Sequence, residues 1–271
     1  SPPSLPPPPL FLYAEDDLPV LNRPCLALVT RRMTPYGRRA ARDLAAAACA
    51  AGFTTVSGLA EGVDGEVARA TLEAGGKTVA VLGHGLGRIF PAAHRPLARS
   101  IVDAGGLLLS EYALDIPVGK YPFSARNRII AGLSLGTVVV EAPLRSGAVI
   151  TAELALDYGR EVFAVPGSVY EEASAGCHAL IAAGNAQLVS SAGEILRTLG
   201  AAPSEAPAPV AYAPGSPVEE RLLRLLSALP LAFDELAERS GAAPAEALTA
   251  LTMMELAGAA ENVGGGQWIR R

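Results

Sequence analysis

The chain has 271 residues, half of them apolar, a formal net charge of −5, and an Arg-heavy basic set whose lysines stand only at 77 and 120. That length can bury one large core and a second small one, and with 6 Phe, 7 Tyr and 1 Trp the core must be mainly aliphatic. An acidic balance argues against bulk, non-specific nucleic-acid binding, so any anion site must be a local patch.

No apolar run reaches the roughly 20 residues of a membrane span, and the Pro-rich start lacks the charged segment of a signal peptide. The expectation is a cytoplasmic protein without a membrane role. Three cysteines (25, 49, 177) and three histidines (84, 94, 178) show no metal-ligand spacing. They predict buried, reduced thiols, no metal site and no cofactor.

Residues 1–9 are nearly all Pro and Ser and predict an extended, disordered lead-in. From about residue 10 to 200, short apolar runs recur at 25–29, 54–58, 78–83, 107–111, 137–142 and 161–167. Ala-rich helical stretches lie between them, such as 37–51 and 150–158. Runs without strict alternation, separated by helices, predict a parallel sheet covered on both faces. In that architecture ligands sit beyond the carboxyl ends of the strands. Residues 201–217 read as a Pro/Ala/Ser linker. Residues 218–271 then predict helices at 219–229, 232–240 and 244–257 and a hairpin turning at 264–266, the pattern of a small winged helix.

Two acid-free segments stand out. Residues 18–42 hold six Arg and no acid. There Arg31 and Thr34 follow the first long apolar run, where a helix start would aim N–H groups at a phosphate. A solvated basic helix start is the alternative. Residues 116–140 hold three cations and no acid, and Phe123 lies between Lys120 and Arg126. A cation–aromatic–cation run suits single-stranded nucleic acid, the cations taking phosphates and the ring a base. The alternative places Phe123 in the core and pairs Arg126 with Glu111 or Glu141. Both glutamates end apolar runs, and the expectation is that they orient neighbouring arginines.

Three further junctions are weaker. Ser57-Gly58 and Ser146-Gly147 combine small residues and hydroxyls at strand ends, where a ligand could approach closely. The turn at 166–168 is a further phosphate contact or only a turn. The glycines at 83, 85 and 87 lack the context of a dinucleotide fingerprint, and no nucleophile elbow is present.

These stretches, in this order over residues 10–200, resemble the DprA (Smf) family of DNA-processing proteins. The resemblance is carried by Leu21-Asn22-Arg23-Pro24, Arg31-x-x-Thr34-Pro35-Tyr36-Gly37, Ser57-Gly58-Leu59-Ala60-x-Gly62-x-Asp64, Phe123-x-x-Arg126-Asn127-Arg128-Ile129-Ile130-Ala131-Gly132, Ser146-Gly147-Ala148-x-Ile150-Thr151 and Val165-Pro166-Gly167-Ser168. It implies an extended Rossmann-like fold that binds single-stranded DNA, forms a homodimer through that domain, and loads the RecA recombinase during natural transformation without acting as an enzyme. On that resemblance Arg31 grips phosphate. Lys120, Phe123, Arg126 and Arg128 line the pocket beside Asn127, with Ser57, Gly58 and Ser146 nearby. The chain departs from the family where Val29 replaces a usual Gly, Glu61 a usual Arg, and Arg69 a usual His.

Two other readings remain. A nucleotide-processing hydrolase on a related Rossmann fold would show Pro-Gly-Gly-x-Gly-Thr, which is absent. A transcription factor would read duplex with the winged helix, but residues 217–271 carry five Arg and eight acids, the wrong balance for that task. A protein-interaction or dimer-supporting role suits that domain better.

Overall fold

The computed structural model describes residues 7–16, 18–30, 34–59, 63–116, 120–201 and 212–270. The chain divides into two compact units, Ser1–Ala206 and Pro207–Arg271.

The first unit is built on an eight-stranded sheet. Its strands are β1 (Tyr13–Asp16), β2 (Cys25–Val29), β3 (Thr54–Ser57), β4 (Thr78–Leu82), β5 (Leu107–Ser110), β6 (Gly136–Val139), β7 (Glu161–Ala164) and β8 (Gln187–Leu188), in the order β1-β5-β4-β3-β2-β6-β7-β8. Every pairing is parallel except β1 with β5. The helices are α1 (Pro35–Ala50), α2 (Val63–Glu73), α3 (Arg95–Asp103), α4 (Lys120–Leu133), α5 (Gly147–Asp157), α6 (Ala175–Ala182) and α7 (Ala192–Thr198).

Strand alternation sorts the helices onto two faces. Leu26 and Leu28 of β2 pack with Ala41, Leu44 and Ala45 of α1, Val67 of α2 and Ile195 of α7. Ala27 and Val29 of the same strand pack with Ile129 and Ile130 of α4, Ala148 and Ala152 of α5, and Cys177 of α6. Both faces are therefore dry, and β2 to β6 are buried along their whole length. Each fully buried Leu or Val contributes about 1.5–3 kcal/mol, so the aliphatic sheet supplies most of the stabilisation.

From β2 the chain winds outward through β3, β4 and β5, then returns so that β6 lies on the other side of β2. The connections leaving β2 and β6 pass to opposite faces, α1 on one and α5 on the other. That is a topological switch point, where such sheets open a crevice at their carboxyl edge. β1 and β8 were not expected from the sequence. Within the stretch read as a lead-in, residues 7–9 are described, and the Pro7 carbonyl accepts a hydrogen bond from Arg128 Nε at 3.1 Å.

The second unit contains α8 (Pro217–Leu225), β9 (Leu231–Ala232), α9 (Phe233–Ser240), α10 (Pro244–Leu256), β10 (Ala260–Gly264) and β11 (Gln267–Arg270). Its three strands run in the order β10-β11-β9. Leu222, Leu236, Leu251, Met254 and Trp268 form its core. Ser216 caps α8 by accepting from Glu219 N, and the β10–β11 turn uses positive φ at Gly264, Gly265 and Gly266, a conformation only glycine adopts freely. Three helices and a β wing make the winged helix expected from the sequence.

The three cysteines are free; Cys25 and Cys177 are buried and Cys49 is half-buried. Burial pushes the thiols of Cys25 and Cys177 up to about 11, and raises Cys49 as well. At pH 8 a thiol of that pKa is thiolate in only about one molecule per thousand, and the thiolate is the reactive form. Native protein mixed with a thiol reagent at pH 8 should therefore leave Cys25 and Cys177 unmodified over minutes, while denatured protein reacts fully. Fast labelling of either in the native state would contradict this packing.

Candidate nucleic-acid interface

The site is best built from the switch point outward. Thr34 is the N-cap of α1, extended at φ −74° and ψ 168°, and its hydroxyl accepts from Gly37 N at 3.2 Å. Pro35 follows at the first helical position, where its missing N–H costs nothing. Across the crevice, Glu141 leaves the end of β6. Its Oε2 accepts from Thr34 N at 2.9 Å and its Oε1 from the Thr34 hydroxyl at 2.7 Å. Glu141 is 2% exposed.

Glu141, expected to orient a neighbouring arginine, binds the helix start. The α1 amide expected to face a phosphate is already taken by an internal carboxylate, which also meets the positive end of the helix dipole. The close fit explains Gly37, since a Cβ there would run into the Glu141 carboxylate.

Glu111 does orient an arginine, but it is Arg128. Two parallel bonds join them, Nη1–Oε2 at 2.9 Å and Nη2–Oε1 at 2.7 Å. The hydrogen bond that Arg128 donates to Glu111 raises its pKa further. A fork of this kind fixes the guanidinium plane as well as its charge.

Arg126 behaves differently. It is 5% exposed, and its Nη1 donates to the Gly58 carbonyl at 2.6 Å and to the Val81 carbonyl. The pairing of Arg126 with Glu111 or Glu141 is therefore replaced by capping of the β3 and β4 ends. Its Nε also donates to Asn127 Oδ1 at 3.1 Å, and Asn127 Nδ2 donates to the Gly147 carbonyl at 3.2 Å. One polar chain thus ties β3, β4, α4 and the start of α5 together. Gly58 must be glycine here, because a Cβ would overlap the Arg126 guanidinium.

The remaining sequence-predicted residues fall around this network. Ser57 is fully buried, and its hydroxyl has no hydrogen-bond partner among the described residues. Ser146 is buried and caps α5 by accepting from Val149 N at 3.4 Å. After Gly58, Leu59 takes φ +53° while fully buried, a strained conformation costing about 1–3 kcal/mol; its carbonyl is engaged by His94 Nδ1 at 3.1 Å. Arg31 lies outside the described residues. The side chains of Lys120 and Phe123 do too, although their backbone forms the first turn of α4 at the carboxyl edge.

The other glycine-rich junctions serve packing. Gly85 N and Gly87 N donate to the carbonyls of Ile116 and Leu114 at 3.0 and 3.1 Å. A Cβ at Gly85 would strike the Ala113 and Leu114 carbonyls, so these glycines admit a neighbouring loop. The turn at 166–168 is gripped by Tyr36, whose hydroxyl donates to the Pro166 carbonyl at 2.6 Å, and by His178 Nε2, 3.1 Å from the Gly167 carbonyl.

Replacing Glu141 tests the switch-point bridge. Glu141→Ala leaves a buried N–H and a hydroxyl without their charged acceptor and should cost about 2–4 kcal/mol. Glu141→Gln keeps one acceptor and should cost about half as much. Urea unfolding monitored by circular dichroism reads both, and equal midpoints for wild type and Ala would rule out the bridge.

Comparison with known proteins gives the family and the fold. The family model for DNA recombination-mediator protein A matches residues 3–200, and that for the DprA winged helix domain matches residues 206–266. Protein Smf of Escherichia coli (strain K12) is 42% identical over 264 residues, covering 94% of this chain and 70% of the relative. The X-ray structure of DNA processing protein A from Streptococcus pneumoniae matches with a TM-score of 0.66 and 41% identity, covering 70% of this chain and 66% of that one. DNA processing protein A from Helicobacter pylori, solved to give insight into its single-stranded DNA binding mode, matches with a TM-score of 0.65 and 32% identity over 71% of this chain and 88% of that one. The chain therefore spans about two thirds of the length of the E. coli and S. pneumoniae relatives. It belongs to the DNA recombination-mediator protein A family of DNA-processing proteins, and ends in that family's winged helix domain.

Proposed function

We propose that the larger unit binds single-stranded DNA at the β2/β6 switch point and delivers it to the RecA recombinase, as a cytoplasmic homodimer and without turnover. The observation that supports this reading is that the helices of the two acid-free segments start at the same edge of the sheet. The start of α1 and the start of α4 both lie at the carboxyl edge of one sheet, on opposite faces. Arg31 and Lys120 then hold phosphates, Phe123 stacks on a base, and Arg128 adds charge at the margin. Arg126, Asn127, Ser57, Gly58, Ser146 and Gly147 shape the edge that presents them. The H. pylori relative supports the choice of ligand. Among the described residues no arrangement supports the hydrolase reading.

The winged helix is assigned a protein-interaction role. The exposed side of α10 carries Leu248, Thr249, Thr252, Met253 and Leu256 with Glu246 and Glu255, and no cation. Arg224 and Arg239 of this unit pair with Glu220 and Glu235 at 2.5 and 2.8 Å. A duplex reader needs cations facing phosphates.

Fluorescence anisotropy with a labelled dT oligomer tests the site. Arg31→Ala and Lys120→Ala should each weaken binding about tenfold and flatten its salt dependence, by about 0.7 in log–log slope per lost phosphate contact. A chain ending at Ala201 should bind dT as well as the full chain. The site assignment fails if both point variants bind like wild type, and the function fails if wild type prefers duplex. Delivery to RecA predicts faster filament growth on the same oligomer when the protein is present.

A further inference from the structure

On the face of the sheet opposite α4, three arginines converge on a single buried acid. Glu66, in the first turns of α2, has a side chain only 8% exposed. Its Oε1 accepts from Arg42 Nε at 3.0 Å and Nη2 at 2.9 Å. Its Oε2 faces Arg69 Nη1 at 3.4 Å and Arg38 Nη1 at 3.9 Å. Arg38 and Arg42 are one turn apart on α1, and Arg69 stands one turn beyond Glu66 on α2.

One carboxylate cannot use what three guanidinium groups offer. A carboxylate has about four acceptor positions and three guanidinium groups have about fifteen N–H donors. Arg42 takes the close, two-pronged position. Arg38 and Arg69 approach Glu66 only loosely and keep 51% and 45% of their side-chain surface exposed. Glu66 thus acts as an anchor that holds like charges side by side, which would otherwise repel. Among the described residues the cluster has three cations to one anion.

Its place is as informative as its charge. It lies in the first half of α1 and the middle of α2, helices that follow the neighbouring strands β2 and β3. Arg38, its member nearest the switch point, is one turn along α1 from Thr34.

We propose that Arg38 and Arg69 form a second phosphate-binding step, which takes the backbone of single-stranded DNA as it leaves the crevice over the α1/α2 face. This rests on the reading of the crevice as the strand's primary site. The step recognises phosphodiester charge and carries no base preference, because no aromatic side chain belongs to the cluster. It makes affinity depend on oligomer length.

The test compares oligomers of about 6 and about 15 deoxythymidines, lengths within the range that single-strand grooves engage. Wild type and Arg38→Gln/Arg69→Gln are measured by anisotropy at several salt concentrations. The double variant should bind the short oligomer like wild type and the long one about tenfold more weakly, with a salt slope smaller by about 1.4. Arg38→Lys/Arg69→Lys should restore the long-oligomer affinity, since a lysine supplies the charge without the fork. Arg42 stays in all variants, so Glu66 keeps its close partner, and Arg69→Gln alone serves as the milder variant if the double one unfolds. Equal length dependence in wild type and the Gln variants overturns the step while leaving the crevice reading intact. Failure of wild type to bind either oligomer overturns both. Inorganic phosphate that competes equally against the two lengths would also overturn it, by placing all phosphate recognition inside the crevice.

Discussion

The Glu141 carboxylate at the start of α1 is the interaction on which the rest of the carboxyl edge depends. β2 and β6 are adjacent, but the helices that follow them leave on opposite faces. The ladder between them runs on to Val140, whose N–H donates to the Val29 carbonyl at 3.1 Å. Beyond it, two short hydrogen bonds from Thr34 to Glu141 tie the two ends together. They satisfy an otherwise orphaned helix amide and fix where the chain enters α1. A phosphate at that position would have to displace a buried charge.

The same device recurs, and it reconciles an acidic chain with a polyanionic ligand. Glu141, Glu66 and Glu111 are withdrawn from the surface to different degrees, and each is committed to internal partners. They contribute to the net charge but little to the field outside. The arginines that Glu66 and Glu111 position remain partly in solvent. Net charge therefore misstates what a ligand meets at this edge, because Glu66 and Glu111 are paired with arginines of the protein itself.

Much of the first unit was legible in the sequence because its strands are dry on both faces. Apolar runs punctuated by glycine located six strands, and the acid-free segments located the two helix starts at the edge. β1 was not legible: Tyr-Ala-Glu-Asp has neither an apolar run nor an apolar–polar alternation, and it exists because it pairs with β5. β8 is two exposed residues. Side-chain partners were harder still. Arg126 and Arg128 are two positions apart on α4 and so point to different sides of the helix, and which one turns inward depends on where β3 and β4 end. The Thr34–Glu141 bond spans 107 residues of sequence. The one available signal was Gly37, a glycine inside a helix start with no turn to make, which marks close approach by something else.

Burial of Arg126 also changes how the motif around it is understood. A guanidinium with its donors on the Gly58 and Val81 carbonyls is spent on structure, and withdrawing it to meet a phosphate would leave buried acceptors bare at about 1–3 kcal/mol each. Its value lies in what it fixes. It holds the end of β3 just before the strained Leu59, and through Asn127 it holds the start of α5. Three of the junctions that the sequence singled out separately are thus one polar network. Rigidity at that edge lowers the entropy a flexible strand and its receptor must lose together on binding. An edge assembled from carbonyls, caps and one buried cation is well suited to hold exposed cations still, and it needs no catalytic group to do so.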